Sequence, residues 1–312
     1  MSITPRALDT VVVARGLILP AARPGAVIDF EVLPGETFAI VGEPAADRQA
    51  LIEALLGIRQ VTARELTVCG MAPAEAMRNG GRSVRGALRA VAFERGMTVA
   101  DVLALFASFY PGLDTPAPAA DLLGLRPRLQ ARVETLTPSE TQRLVLTTAI
   151  MHDPILLVAD DPTRDLGLQW AARVWDLLET RRARGRTTVL TTDQIDSLER
   201  GADRVMVLRQ GRVAAVDTPE RLLARCASPV AITVELPQRH ALAPETLRSI
   251  EGVTTVTVDG DRIVLLSAAG FATMRELVRL LDRLPLTPTA LVMKRPTLGD
   301  AITELLGQDV AE

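Results

Sequence analysis

An α/β fold on a largely parallel sheet, followed by a smaller α+β domain, is predicted for this chain by three stretches. Residues 38–41 are an apolar run that enters Gly42, and Leu51, Ile52, Leu55 and Leu56 then recur at helical spacing. Strand, glycine turn, helix is the setting in which phosphate-binding loops occur. Residues 155–159 form a second unbroken apolar run, as expected of a strand covered on both faces. From Val230 to Lys294 the pattern reads β-α-β-β-α-β, the ferredoxin-like order.

Taken in order, residues 1–36 alternate apolar and polar, with Pro-Gly turns at 24–25 and 34–35, and read as an antiparallel front sheet. The strand–loop–helix of 38–57 follows. Residues 61–93 read as a strand at 65–68, a glycine-rich loop around Gly80-Gly81 and a further strand ending near Phe93. Helical periodicity broken by Pro111, Pro116, Pro118 and Pro127 marks a helical insertion over about 95–150, with a helix from Ser139 to Met151. After the buried strand, Asp160-Asp161-Pro162 leads to a helix at 168–184 and strands at 188–192 and 204–208, which continues the alternation. The pattern changes near Pro229, so the domains are placed at 1–227 and 228–312. In the second, strands are expected at 230–236, 253–258, 262–267 and 290–294, the middle two joined by an Asp259-Gly260 turn. Helices are expected at 244–250, 271–284 and 298–306.

With 312 residues, 48% apolar and 23% charged, the chain has the composition of a folded protein able to bury two cores. A net charge of −3 argues against a general nucleic-acid binder. The longest apolar candidate, 99–110, is interrupted by Asp101 and is too short for a membrane span. No secretion signal is read at the N-terminus. Cys69 and Cys226 lack metal-ligand spacing and read as reduced, buried thiols.

The motif G-x-x-x-x-G-K-[ST] lies on Gly42–Gln49 without a gap, but its chemistry differs. Asp47 stands at the second glycine, Arg48 at the lysine and Gln49 at the hydroxyl residue, with Ala50 next. Lys294 is the only lysine in the chain, so no other can replace the one missing here. An arginine keeps the charge but not the compact geometry of an ammonium. An acid about 4 Å from a phosphate costs on the order of 4 kcal/mol at an effective dielectric near 20. Asp47 is expected to cap the following helix and to pair with Arg48.

Segments 184–225 (RGRTTVLTTDQIDSLERGADRVMVLRQGRVAAVDTPERLLAR) and 294–307 (KRPTLGDAITELLG) complete a resemblance along nearly the whole chain. It is similar to the ATP-binding subunits of ABC transporters, specifically the daunorubicin-resistance type of export ATPase. The resemblance implies an ABC-type P-loop ATPase domain plus a C-terminal regulatory or dimerisation domain of ferredoxin-like shape. It also implies ATP and magnesium as ligands, a membrane permease as partner, a homodimer or heterodimer with another ABC ATPase subunit, and a place on the cytoplasmic face of the membrane.

Position by position, the resemblance maps the magnesium aspartate onto Asp160 and the catalytic glutamate onto Asp161, one methylene shorter. The switch histidine maps onto Asp193 and the magnesium-loop glutamine onto Glu94; Gln49 takes the hydroxyl ligand's place. The signature Leu-Ser-Gly-Gly-Gln becomes Leu136-Thr137-Pro138-Ser139-Glu140, which also reads as a helix start with Thr137 as N-cap and Glu140 three residues on. The aromatic residue that would stack on adenine is replaced by Leu19 or Pro20. The histidines, His152 and His240, stand elsewhere. The leading expectation is a pseudo-ATPase subunit of an export complex. Two readings stay open beside it: an active ATPase driving drug or lipid export through Arg48 and Asp161, and a scaffold independent of any permease.

Overall fold

The computed structural model describes residues 9–20, 23–79, 83–89, 91–109, 117–226, 228–236, 243–283 and 287–307. The expected Gly80-Gly81 loop, His240, Pro111 and Pro116 lie outside them. Two compact units divide the chain, one up to Pro219 and one over Glu220–Gln308, so the second takes in residues ahead of the expected boundary at 228.

In the larger unit, β1 (Val12–Leu17), β2 (Ile28–Val32) and β4 (Glu65–Val68) form an antiparallel front sheet in the order β2-β1-β4. Strand β3 (Thr37–Glu43) belongs to a second, six-stranded sheet and is followed almost at once by α1 (Ala45–Leu55). Helix α2 (Pro73–Arg78), which the sequence pattern did not indicate, precedes β5 (Val84–Ala87). That strand stops well short of Phe93; residues 91–97 are coil and turn, held away from the ladder. The helical insertion contains α3 (Val99–Ser108), α4 (Ala117–Leu122) and α5 (Pro138–Ile150). Both α3 and α5 begin with a reciprocal capping box, Thr98 with Asp101 and Thr137 with Glu140.

The alternation then continues through β6 (Leu156–Asp160), α6 (Leu168–Ala183), β7 (Thr187–Thr191), the short α7 (Leu198–Gly201), β8 (Arg204–Arg209) and β9 (Arg212–Asp217), and α8 (Pro219–Ala224) lies at the boundary with the second unit. The large sheet runs β5-β6-β7-β3-β8-β9, parallel throughout except for β9. Every residue of β6 and β7 is buried, which is why their sequences carry no polar alternation. Phe38 and Ile40 of β3, Leu51, Ile52 and Leu55 of α1, and Val12, Phe30 and Val32 of the front sheet share one apolar core. This core fixes the ends of β3, β6 and β7 side by side. Open α/β sheets place ligands beyond such carboxyl ends.

In the smaller unit, β10 (Val230–Glu235), α9 (Pro244–Arg248), β11 (Val253–Asp259), β12 (Arg262–Ser267), α10 (Phe271–Arg283) and β13 (Ala290–Lys294) follow the expected order, with α11 (Leu298–Gly307) last. The sheet order is β11-β12-β10-β13 with every pair antiparallel, which is the pairing of the split β-α-β arrangement. Ile232, Val234, Ile263 and Leu265 pack under Leu247, Leu277 and Leu281 to make its core.

Candidate functional site

Strand β3 ends in the turn that the motif predicts. Gly42 has φ +115°, and a Cβ there would stand 1.9 Å from the carbonyl oxygen of Leu208, so only glycine fits. The four residues between the two motif glycine positions do not form an open loop. Glu43 is still in β3, Pro44 has no amide hydrogen, and Ala45 and Ala46 are already the first turn of α1.

Pro44 is the N-cap of α1 and makes no side-chain cap, which corrects the expectation for Asp47. The Asp47 amide donates to the Pro44 carbonyl at 3.1 Å, placing Asp47 inside the helix. Its side chain is buried, 2% exposed. Burial raises its pKa above the ordinary carboxylate value, and a hydrogen bond from the Gly211 backbone opposes that rise. Asp47 does not pair with Arg48 either. Arg48, 6% exposed, donates one guanidinium nitrogen to the Gly42 carbonyl and the other to the Asp193 carboxylate. The residue at the lysine position is therefore joined to the residue at the switch-histidine position, 145 residues away. Gln49 turns outward and donates to Glu53 at 2.9 Å; Ala50 is buried in the core.

At the end of β6, Asp160 accepts from the Thr191 hydroxyl at 2.6 Å. Asp161 sits at φ +50° and is 5% exposed, with its amide donating to the Thr191 carbonyl at 3.0 Å and its carboxylate accepting from Thr192 at 3.3 Å. Desolvation raises its pKa, and the negative charge of Asp193 raises it further against the pull of Arg89. The Arg164 guanidinium stands 3.7 Å from the same carboxylate. A cleft of about 500 Å³ opens beside these groups, lined by Ala46, Arg48, Gln49, Glu53, Arg89 and Asp160. Arg89 and Glu53 had no signal in the sequence, because neither belongs to a motif. Glu94 is exposed in the turn after β5 and does not line this cleft. Leu19, at the adenine-stacking position, is buried in the core, and Pro20 is exposed.

The signature segment is placed by α5. Thr137 is its N-cap and Pro138 its first residue; the Glu140 amide donates to the Thr137 hydroxyl at 3.2 Å, and the Thr137 amide donates to the Glu140 carboxylate at 2.9 Å. Arg128 stands 3.0 Å from Glu140. These bonds to the charged form lower the Glu140 pKa, the Thr137 amide most. Ser139 follows Pro138 in the first turn of the helix. Farther along, Gln142 donates to the carbonyls of Asp161 at 3.4 Å and Pro162 at 3.3 Å. Arg143, buried, donates to the Leu123 carbonyl at 2.8 Å and covers the Trp170 ring at 4.0 Å.

Of the sequence-selected residues, Gly42, Arg48, Asp160, Asp161 and Asp193 converge at the ends of β3, β6 and β7. Helix α5, which the signature segment starts, reaches that cluster through Gln142, which donates to the Asp161 carbonyl. His152 donates from Nε2 to the Phe106 carbonyl at 3.1 Å, in the helical insertion. Cys69 is buried, with its thiol pushed up to about 11, and Cys226 is half-buried rather than buried. Among the described residues no group of three His, Cys, Asp or Glu side chains converges as a metal site, and no helix is long and apolar enough to cross a membrane.

A parallel sheet with a glycine turn, helix and aspartate at its carboxyl edge defines the class of P-loop α/β ATPase folds. Comparison with known proteins narrows this. The chain is 30% identical over 202 residues to a Nod factor export ATP-binding protein I of Burkholderia pseudomallei, covering 63% of this chain and 66% of that relative. It is 28% identical over 295 residues to the protein of the same name from Rhizobium etli, covering 91% and 88%. The first of these alignments thus spans just under two thirds of the relative's length. Among solved structures, an ATP-binding subunit of an ABC transporter matches with TM-score 0.62 and 19% identity, covering 69% of this chain and 93% of that one. The cbiO1 protein of Clostridium perfringens, part of the cbiONQ transporter complex, matches with TM-score 0.57 over 70% and 92%. No family model matches. The chain belongs to the ABC transporter nucleotide-binding domains.

Proposed function

We propose that this chain is a non-hydrolysing ATP-binding-subunit homologue of an export complex, its fold kept for assembly beside a membrane permease on the cytoplasmic face. The observation that carries this reading is the placement of Arg48. Its guanidinium spans from the Gly42 carbonyl to Asp193, so one side chain fills the turn and engages the switch position. The chain's residues do not fit a magnesium triphosphate. The cradle of loop amides is replaced by Pro44 and the first turn of α1, Gln49 is committed to Glu53, and Asp160 is bonded to Thr191. A buried Asp47 adds an acid within the turn that a phosphate would approach.

Export is supported by the names of the relatives, which are Nod factor export ATP-binding proteins. Partnership with a permease is supported by the transporter complex to which a structural neighbour belongs. ABC composite sites combine one subunit's phosphate loop with the other's signature, and here both ends are closed by the chain's own side chains. Whether the partner ATPase subunit is a second copy or a different chain, each composite site then contains one closed end, which is why no ordinary two-site turnover is expected. Titration with a fluorescent ATP analogue and magnesium tests the reading: no saturable binding is expected. Micromolar binding accompanied by phosphate release would overturn it in favour of an active exporter ATPase.

A further inference from the structure

Helix α10 carries different chemistry on its two faces. Thr273, Leu277 and Leu281 recur every fourth residue and are buried, the two leucines in the core of the smaller unit. Arg275, Arg279 and Arg283 recur at the same interval two positions on, about 200° round the helix, and all three are exposed. The helix therefore turns a row of guanidinium groups, roughly 12 Å long, away from its own core. On a chain of net charge −3 such a row is a local exception.

Exposed arginines elsewhere meet acids: Arg59, Arg126, Arg182 and Arg248 face Glu53, Asp121, Glu179 and Glu245. Among the described residues, Arg275, Arg279 and Arg283 have no ion pair or hydrogen bond. The acids of α10 do not neutralise them. Glu276 accepts from the Glu251 amide at 3.1 Å, and Asp282 pairs with none of the three. Arg295 adds another guanidinium at the start of the helix, 5.4 Å from the Phe271 ring centroid. Phe271 is 66% exposed and Val278 37%; seven residues apart, they fall together on one side of the row.

We infer that α10 lies on an anionic membrane surface, with Arg275, Arg279 and Arg283 against lipid phosphates and Phe271 at headgroup depth. Unpaired arginines with apolar side chains beside them are the pattern of a helix that rests in an interface plane. A guanidinium fork bonds phosphate oxygens two at a time, and a plane of headgroups can meet a whole straight row at once. An acidic protein segment would match the charges as well. The exposed Phe271 and Val278 favour a partner that is charged at its surface and apolar just beneath. The contact is separate from the ATP site and from any permease, and it is tested without either.

Flotation of the full chain with phosphatidylcholine vesicles containing about 30% phosphatidylglycerol is expected to carry it upward, whereas pure phosphatidylcholine leaves it behind. Salt at about 1 M, where screening acts within about 3 Å, is expected to weaken the binding at least tenfold. Arg275→Gln, Arg279→Gln and Arg283→Gln are each expected to lower the partition coefficient about fivefold, and the three together about a hundredfold. Phe271→Ser is expected to lower it about fivefold as well. Arg78→Gln, Arg173→Gln and Arg200→Gln together remove the same charge from the larger unit and are expected to leave binding unchanged. Equal binding to both vesicle compositions, no binding to the anionic ones, or a triple α10 variant that binds as the unaltered chain does overturns the proposal. A chain that ignores anionic vesicles yet takes up polyglutamate through these arginines also overturns it, and assigns the row to an acidic protein segment.

Discussion

The starts of α1 and α5 occupy the two places at which an ABC fold takes hold of phosphate, and the chain closes them in different ways. At α5 the closure is local: Thr137 and Glu140, three residues apart, cap each other's amides, with Arg128 alongside. At α1 it is long-range: Arg48 joins Gly42 to Asp193, and Asp47 is held by the backbone of Gly211. One acid is stabilised in its charged form and the other is penalised for it. A capping box keeps a carboxylate at a helix start without needing phosphate. Burying a guanidinium fills the turn itself.

Substitutions can break or sharpen that contrast, beginning with the largest effect. Gly42→Ala drives a Cβ into the Leu208 carbonyl at a left-handed position, and is expected to cost on the order of 4 kcal/mol in urea unfolding. No single change at the exposed start of α5 is expected to match it. Arg48→Met leaves the buried Gly42 carbonyl without its side-chain donor, for an expected loss of about 2 kcal/mol by the same measurement. Thr137→Ala removes the α5 cap and is expected to cost about 1 kcal/mol. Asp193→Ala, whose side chain is 61% exposed and keeps access to water, is expected to cost about 0.5 kcal/mol. If Asp193→Ala costs as much as Arg48→Met, the ion pair rather than the carbonyl contact dominates the turn.

The two acids also predict opposite pH responses. Glu140 ionises more readily folded than unfolded, so its contribution is complete above its ordinary 4.5 and is lost as the pH falls through the lower folded value. Glu140→Gln is therefore expected to be destabilising at pH ~7 and nearly neutral at pH ~3. Asp47 is raised above its ordinary 3.8, so its ionised form is a cost at neutral pH that disappears on acidification. Asp47→Asn is expected to stabilise at neutral pH, with the gain vanishing in acid. Thermal melts of both variants across pH separate the cases.

The same contrast accounts for what the sequence made legible. The α5 cap is a local pattern, T-P-S-E, and its spacing alone specified the observed bonds. The β3 and β6 runs were equally local, because buried parallel strands need no more than an apolar stretch. The order of strands and helices in the smaller unit followed from its periodicity and from the Asp259-Gly260 turn. The Arg48–Asp193 pair joins segments far apart in sequence, and no periodicity announces it. Asp47 was misread for a related reason: helix α1 starts at Ala45, earlier than the motif implies, and this moved Asp47 from the cap into the first turn. Helix α2 and strand β9 are short and flanked by turns, where apolar patterns carry little information.

Titration of the full chain with a fluorescent ATP analogue in the presence of magnesium addresses the central claim most directly. The closed α1 start predicts no saturable binding up to about 1 mM. Converting Asp47→Gly, Arg48→Lys, Gln49→Thr and Asp193→His together is expected to bring binding into range. Saturation of the unaltered chain at micromolar nucleotide, with release of phosphate, would contradict the account.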